Sequence, residues 1–347
     1  MLGLQLEKKR IFLDDKEEKR ELEEFLNTQN IRLDENVEYT VGVFNGDELV
    51  ATGSLSKNTL RSIAIKPEYQ GTSLLNKVIS HLISEAYQRG NTHLFIYTKP
   101  ESAKSFNFLG FYEIARVNEV VLMENISDGI NSYLKEISTQ TVNGKNIASI
   151  VMNANPFTNG HQYLVETAAR ENDALHLFVV SEEASIIPFS IRYELVKKEI
   201  EYLDNVILHK GGSYMVSRAT FPSYFMKDSQ EVVKVYAELD LTIFKKYIIP
   251  TLNINSRYVG EEPYCEVTRT YNETMKRILE GNNMRVKIVP RLQSKRRAIS
   301  ASFVRELIKK DEIERIKDFV PISTYEFFRS KDAKDLIENI RSNTGRH

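Results

Sequence analysis

Two short stretches about 140 residues apart set polar and basic side chains where a helix begins. The first is T-N-G-H, Thr158 to His161, directly after an apolar run and Asn155-Pro156-Phe157. The second is I-S-A-S-F-V-R, Ile299 to Arg305, which leads into a helical run. A helix N-terminus offers unpaired backbone N–H groups and a partial positive charge. Together these make an anion site suited to phosphate. In the first stretch Gly160 permits close backbone approach, Thr158 caps the helix or donates its hydroxyl, and His161 donates a hydrogen bond to the same anion. In the second, Ser300 and Ser302 repeat the arrangement, and Arg305 adds a planar cation that matches phosphate. Alone, the first stretch reads equally well as an ordinary helix start, and the second reads better as a simple N-cap. The pair points to a site that holds a chain of phosphates.

The elements around these stretches are those that would position them. Strand "IASIVMNA" precedes Thr158, and a helix starts at about Gly160. Then come strand "LHLFVVS", a helix near Arg192–Leu203, and the strands "NVILHK", "RYVG" and "VKIVP". Strands alternating with helices predict a parallel α/β sheet, whose ligands sit beyond the carboxyl ends of the strands. The first third of the chain is patterned differently. A charged helix over 14–26 is followed by strand "EYTVGV", a hairpin around Asn45-Gly46-Asp47 and strand "TLRSIAI". Helical spacing runs from Leu74 to Ala86 and stops at Gly90. Strand "HLFIYT", a short helix around Ser102–Leu109 and a strand over Tyr112–Val121 complete it. The polar stretch 124–146 marks a boundary. The expected organisation is a mixed α/β domain at 1–125, a linker at 126–145, and a Rossmann-like parallel-sheet domain with C-terminal helices at 146–347.

Composition narrows the function. With 347 residues the chain is long enough for about two domains. Its 47 basic and 48 acidic residues leave a net charge of −1, so no global field favours nucleic acid or an acidic membrane. No apolar run approaches the ~18 residues of a membrane span, and the charged N-terminus is no signal peptide. The single Cys265 excludes an intramolecular disulfide framework and a zinc ribbon, and a reducing cytoplasm is the simplest compartment. The remaining histidines show no metal-ligand spacing, so no metal site is assigned to the protein.

The two phosphate stretches resemble the nucleotidyltransferase superfamily, which carries an H/T-x-G-H motif after its first strand and an I-S-x-S/T-x-x-R motif late in the domain. The resemblance implies that ATP, with Mg²⁺, lies against Asn155, Pro156, Phe157, Thr158, Gly160, His161, Ser300, Ser302 and Arg305. Within that set it implies that His161, Thr158 and Arg305 act on the reacting phosphates. Residues 60–76, "LRSIAIKPEYQGTSLLN", and "FNFLGFYEIA" are similar to the acyl-CoA loop and the late segment of GNAT acetyltransferases. That likeness implies splayed parallel strands, with a pantetheine arm in the gap and Gln70, Gly71, Thr72 and Ser73 at its phosphates. The loop departs from the GNAT pattern at Ser73 and Leu75, where small residues are usual.

The order of the two domains, with "YQGTSLLNKVI", "NANPFTNGHQYLVETAA", "GEEPYCEVTRTYNETM" and "AISASFVRELI", resembles the citrate lyase ligase family over nearly the whole chain. The resemblance implies that acetate attacks the α-phosphate of ATP, giving acetyl-adenylate and pyrophosphate. The thiol of a phosphoribosyl-dephospho-CoA arm on the acyl-carrier (gamma) subunit of citrate lyase then takes the acetyl group and releases AMP. Two rival readings stay open: a nucleotidyltransferase that adenylylates a phosphopantetheine-like metabolite, and a GNAT acetyltransferase with a regulatory nucleotide-binding domain. Further expectations concern single residues. Lys295, heading K-R-R, faces the outer phosphates or is part of a solvated charge run. Arg192 contacts phosphate or carrier, or is a surface residue. Gly211–Tyr224 is a loop near the acyl site or a packed connection. The segment after Val259 flanks the adenine or ribose, Glu261 and Glu262 are linked to a metal or are simply exposed, and Cys265 packs as a small residue rather than acting as a nucleophile. No base for the thiol step is identified.

Overall fold

The computed structural model describes residues 6–342, apart from 35, 141, 183–184, 217–220, 222–223, 225–228, 263–264, 282–283 and 295–296. The chain forms two compact units, Met1–Ser132 with Phe221–Val235, and Tyr133–Thr220 with Tyr236–His347.

In the first unit the order is β1 (Leu6–Ile11), α1 (Lys16–Thr28), β2 (Tyr39–Asn45), β3 (Glu48–Ser56), β4 (Thr59–Ile65), α2 (Leu74–Gln88), β5 (Phe95–Thr98), α3 (Ala103–Phe108), β6 (Tyr112–Arg116) and β7 (Val121–Glu124). Asp15 caps α1 by accepting from the Glu17 and Glu18 N–H groups. Its buried Leu22, Phe25 and Leu26 follow helical spacing. The same spacing seats Leu74, Val78, Ile79, Leu82 and Ala86 of α2 in the core. The sheet order is β1-β2-β3-β4-β5-β7-β6. All its pairs are antiparallel except β4 with β5. That parallel pair is joined only at Thr59–Phe95 and Leu60–Ile96, so the strands part beyond those residues. The strand expected over Tyr112–Val121 ends at Arg116 as β6, and Val121 begins β7, which returns antiparallel to it.

Helix α4 (Gly129–Ser138) lies inside the stretch read as a linker. The second unit continues with β8 (Ile147–Met152), α5 (Asn159–Glu171), β9 (Ala174–Val179), α6 (Phe189–Ile200), β10 (Val206–Lys210), α7 (Ser229–Ile243, in this unit from Tyr236), α8 (Ile249–Leu252), β11 (Ser256–Gly260), α9 (Glu266–Leu279) and β12 (Arg285–Val289). Helix α7 has no counterpart in the sequence reading. The five strands are all parallel in the order β10-β9-β8-β11-β12. Every residue of β9 is buried, as a strand covered on both faces requires. The order reverses between β8 and β11, and such a switch point opens a crevice at the carboxyl ends of the strands. The chain ends in α10 (Ala301–Lys309), α11 (Ile322–Arg329) and α12 (Lys334–Ser342). Val304, Ile308, Ile316, Phe328 and Ile340 of these helices and their connections form a separate apolar cluster.

Candidate active site

Strand β8 delivers residues 153–158 to the switch point, and Thr158 turns them into α5. The cap is reciprocal. Thr158 Oγ1 accepts from the His161 N–H at 3.3 Å, and the Thr158 N–H donates to His161 Nδ1 at 3.1 Å. This is a capping box in which a histidine holds the place usual for Glu or Gln. Because Nδ1 accepts a backbone proton, the neutral ring carries its own proton on Nε2. Burial, and next the cation of Arg291, lower the His161 pKa to about 4. The ring stacks on Phe157 with centroids 5.7 Å apart. His161 is therefore an uncharged N–H donor at neutral pH, held in one tautomer by the helix cap.

Helix α10 begins on the same side. Ser300 Oγ accepts from the Phe303 N–H at 3.2 Å and lies 3.2 Å from Ser302 Oγ. The two motifs meet: a methyl group built on Gly160 would lie 3.7 Å from the side chain of Ile299 and 3.5 Å from Thr158 Oγ1. Those are ordinary contact distances, so packing does not require a glycine at 160. Arg305 reaches across to donate from Nη1 to the Asn155 carbonyl, and burial lowers its pKa.

A cavity of about 340 Å³ opens where these helix starts converge. Thr158, Gly160, His161, Ser300 and Ala301 line one side of it, and Gly260, Glu261, Glu262 and Arg291 another. Arg291 pairs with Glu262 at 2.7 Å and donates to the Ile299 carbonyl at 3.2 Å. The sequence reading passed over Arg291, although it follows Pro290 at the carboxyl end of β12, where a parallel sheet places ligand-facing residues.

A second chamber of about 560 Å³ adjoins the first, and Val151, Met152, Asn153, Val259 and Thr268 line both. Its walls are largely apolar, from Val180, Met215, Val216, Val267 and Met275. A polar cluster interrupts them. Asp240 of α7, 4% exposed, accepts from the Val216 N–H at 2.9 Å and from the Tyr271 hydroxyl at 2.5 Å. Burial raises its pKa to about 6, against the lowering effects of Tyr271, Arg257 and the Val216 amide. Buried Arg257 lies 4.1 Å from the centre of the Phe244 ring. Asn153, at the mouth between the chambers, donates to Ser185 Oγ at 2.9 Å.

The other expected residues fall as follows. Asn155 lines the second chamber, and Phe157 is fully buried in the core beneath α5. Pro156, Ser302 and Arg305 line neither cavity. Lys295 lies outside the described residues. Arg192 is neither at the surface nor directed at phosphate. It is fully buried and donates to the carbonyls of Ile187, Asn153, Val180 and Glu182 at 2.6–2.9 Å. Cys265 is exposed at the N-cap of α9 and lines the second chamber, so it is not a packing residue. Met215 and Val216 of the Gly- and Ser-rich loop line that chamber too.

In the first unit the parted β4 and β5 frame a cleft of about 580 Å³. Gln70, Gly71, Thr72 and Leu75 line it, and Ser73 does not. Gly71 has φ +77°, a left-handed conformation that favours glycine. Thr72 Oγ1 accepts from the Leu74 N–H at the start of α2.

A splayed mixed sheet in one unit and a switched parallel sheet with two helix starts at its crevice in the other define a protein with a GNAT-like domain and a parallel α/β domain. Comparison with known proteins agrees. Residues 147–328 match the model of the citrate lyase ligase C-terminal domain, and residues 6–113 match the acetyltransferase (GNAT) family. The chain belongs to the citrate lyase ligase family. It is 38% identical to citrate (pro-3S)-lyase ligase of Klebsiella pneumoniae over 91% of this chain and 94% of that one. Its identity to the Escherichia coli (strain K12) protein of the same name is 37%, over 92% of each chain. Among solved structures, pantothenate synthetase from Thermus thermophilus aligns with a TM-score of 0.35 at 17% identity, covering 52% of this chain and 69% of that one.

Proposed function

We propose that this chain is an AMP-forming ligase that acetylates the thiol arm of the citrate lyase acyl-carrier subunit and so activates the lyase. The observation that carries the reading is the convergence of two capped helix starts and a neutral His161 on a cavity that opens into a second, largely apolar chamber. ATP occupies the first cavity. An acetate oxygen forms a bond to the α-phosphorus as the bond to the pyrophosphate oxygen breaks. The helix amides, His161 Nε2–H and Arg291 stabilise the charge that shifts onto the departing phosphates. Acetate is already an anion at neutral pH, so this step needs no base. The carrier's thiol then enters through the second chamber and attacks the acetyl carbonyl, and AMP leaves.

Mg²⁺ enters with ATP as its complex. Among the described residues no group of three or more His, Cys, Asp or Glu is placed to hold a metal ion. Mg²⁺ on a nucleotide needs no such group, because phosphate oxygens and waters supply most of its shell. The cleft of the first unit takes the pantetheine segment of the phosphoribosyl-dephospho-CoA arm, with Gln70, Gly71 and Thr72 at its phosphates. Among the described residues no helix is long and apolar enough to cross a membrane. The cytoplasm, where citrate lyase and ATP meet, is the proposed compartment.

The test is acetate-dependent exchange of labelled pyrophosphate into ATP by the full chain with Mg²⁺, first alone and then with deacetylated citrate lyase. Exchange is the expected result. No exchange under either condition removes acetyl-adenylate from the mechanism.

A further inference from the structure

The thiol step of the proposed reaction calls for a proton acceptor. A free thiol with a pKa of about 8.5 is mostly protonated at neutral pH. Thiolate is the attacking species. That acceptor must stand where the thiol arrives, whereas the carboxylates of the first cavity, Glu261 and Glu262, stand on the nucleotide side, Glu262 paired with Arg291.

We propose, on that reading of the reaction, that Asp240 is the general base of the thiol step. Of the two carboxylates that line the second chamber among the described residues, Glu182 lies against Asn153 and Ser185, whereas Asp240 has both oxygens anchored, by the Val216 N–H and the Tyr271 hydroxyl. Each carboxylate oxygen has two lone-pair sites and spends one on its anchor, which leaves one for an incoming S–H. Tyr271 lies one helical turn along α9 from Thr268, which lines both cavities, so the cluster sits one turn from the opening to the nucleotide. The charged and titratable groups facing it are Tyr271 of α9, Arg257 of β11 and Tyr236 of α7, with Glu182 and Cys265 elsewhere on the chamber wall.

The surroundings suit a base. Burial makes the carboxylate a better proton acceptor than an exposed one, and Arg257 and Tyr271 keep it ionised at neutral pH. In the step itself the S–H proton passes to an Asp240 oxygen while sulfur forms a bond to the acetyl carbonyl carbon. The bond from that carbon to the adenylate oxygen breaks, AMP departs with the electron pair, and the proton on Asp240 returns to solvent before the next turnover.

The experiment follows the two half-reactions of the full chain separately. Acetate-dependent pyrophosphate–ATP exchange reports adenylation, and single-turnover transfer of labelled acetyl to deacetylated citrate lyase reports the thiol step. Asp240→Asn is expected to lower the ratio of transfer to exchange by about 10²-fold or more at pH 6.5. The deficit should shrink as pH rises towards 9, where thiolate forms without help. Tyr271→Phe keeps the ring and removes the hydrogen bond that favours the ionised carboxylate, so the acid limb of the transfer profile should move to higher pH. An unchanged ratio in Asp240→Asn, or equal losses in both half-reactions at every pH, overturns the assignment. An unmoved limb in Tyr271→Phe does the same if the Asn variant does not fold. If the wild-type chain supports neither exchange nor transfer, the ligase reading itself falls and Asp240 with it.

Discussion

In the proposed reaction His161 serves a helix and a ligand together. Its Nδ1 closes the cap of α5, which leaves Nε2–H as the donor that faces the nucleotide cavity. The lowered pKa matters for the sign of its effect. A histidine near 6.5 would lose half its charge within the physiological range. One held at about 4 is neutral throughout it, so its contribution is a hydrogen bond and is steady from pH 6 to pH 8. NMR titration of the ligand-free chain should find the His161 ring titrating near 4. A midpoint near 6.5 would contradict the capped, desolvated ring. His161→Ala should lower the exchange rate by about 10²-fold. An unchanged rate would reduce the histidine to a helix cap.

Much of this was legible at the residue scale. Thr158, Gly160, His161 and Ser300 were marked by their place before a helix, and the structure brings them to one cavity. The less legible residues depend on contacts that spacing does not report. Arg192 carried no signal of its role, because four carbonyls from the two connections that follow β8 and β9 converge on it only after folding. Asp240 sits in a helix that the sequence reading left unassigned, and only the fold places Tyr271 and the Val216 amide against it.

At the scale of elements, the crevice depends on how the ends of β8 and β9 are tied. Residues 153–158 after β8, and 180–182 and 185–187 after β9, lie outside the strands here, and irregular backbone leaves carbonyls without partners. Arg192 satisfies carbonyls on both segments from the first turns of α6, which fixes Asn153 at the mouth between the cavities. The guanidinium suits this place because its donors spread in a plane, whereas an ammonium is a point donor. Arg192→Lys is expected to cost about 3 kcal/mol, since at least two buried carbonyls lose their partners at roughly 1–3 kcal/mol each. Calorimetry of the full chain would show this as a lower unfolding temperature for the transition of the second unit. An unshifted transition would mean that water replaces the lost bonds and that the clamp contributes little. The parallel sheet of the second unit was likewise legible from the alternation of strands and helices, whereas its strand order and the break between β6 and β7 were not. Tyr112–Val121 has a continuous strand-like pattern, and only the antiparallel pairing shows where it folds back.

On the proposed reading the molecule holds its ligands in separate units, ATP in the cavity with its adjoining chamber in the second and the arm in the cleft between β4 and β5 in the first. A carrier whose arm is held by the first unit presents its thiol at a raised local concentration, which increases transfer without any new contact at the reacting atoms. This division of labour predicts a pattern of inhibition. Dephospho-CoA lacking its thiol should compete with deacetylated citrate lyase in the transfer assay. It should leave acetate-dependent exchange untouched, because exchange uses only the second unit's cavities. Gly71→Val should abolish that competition. A β-branched residue is strained at φ +77°, and the loop that faces the arm's phosphates would have to change shape. Equal inhibition of exchange and transfer would place the arm in the second chamber alone. No inhibition of either would leave the first unit's cleft without a part in holding the arm, and the thiol would reach Asp240 by the carrier's own docking.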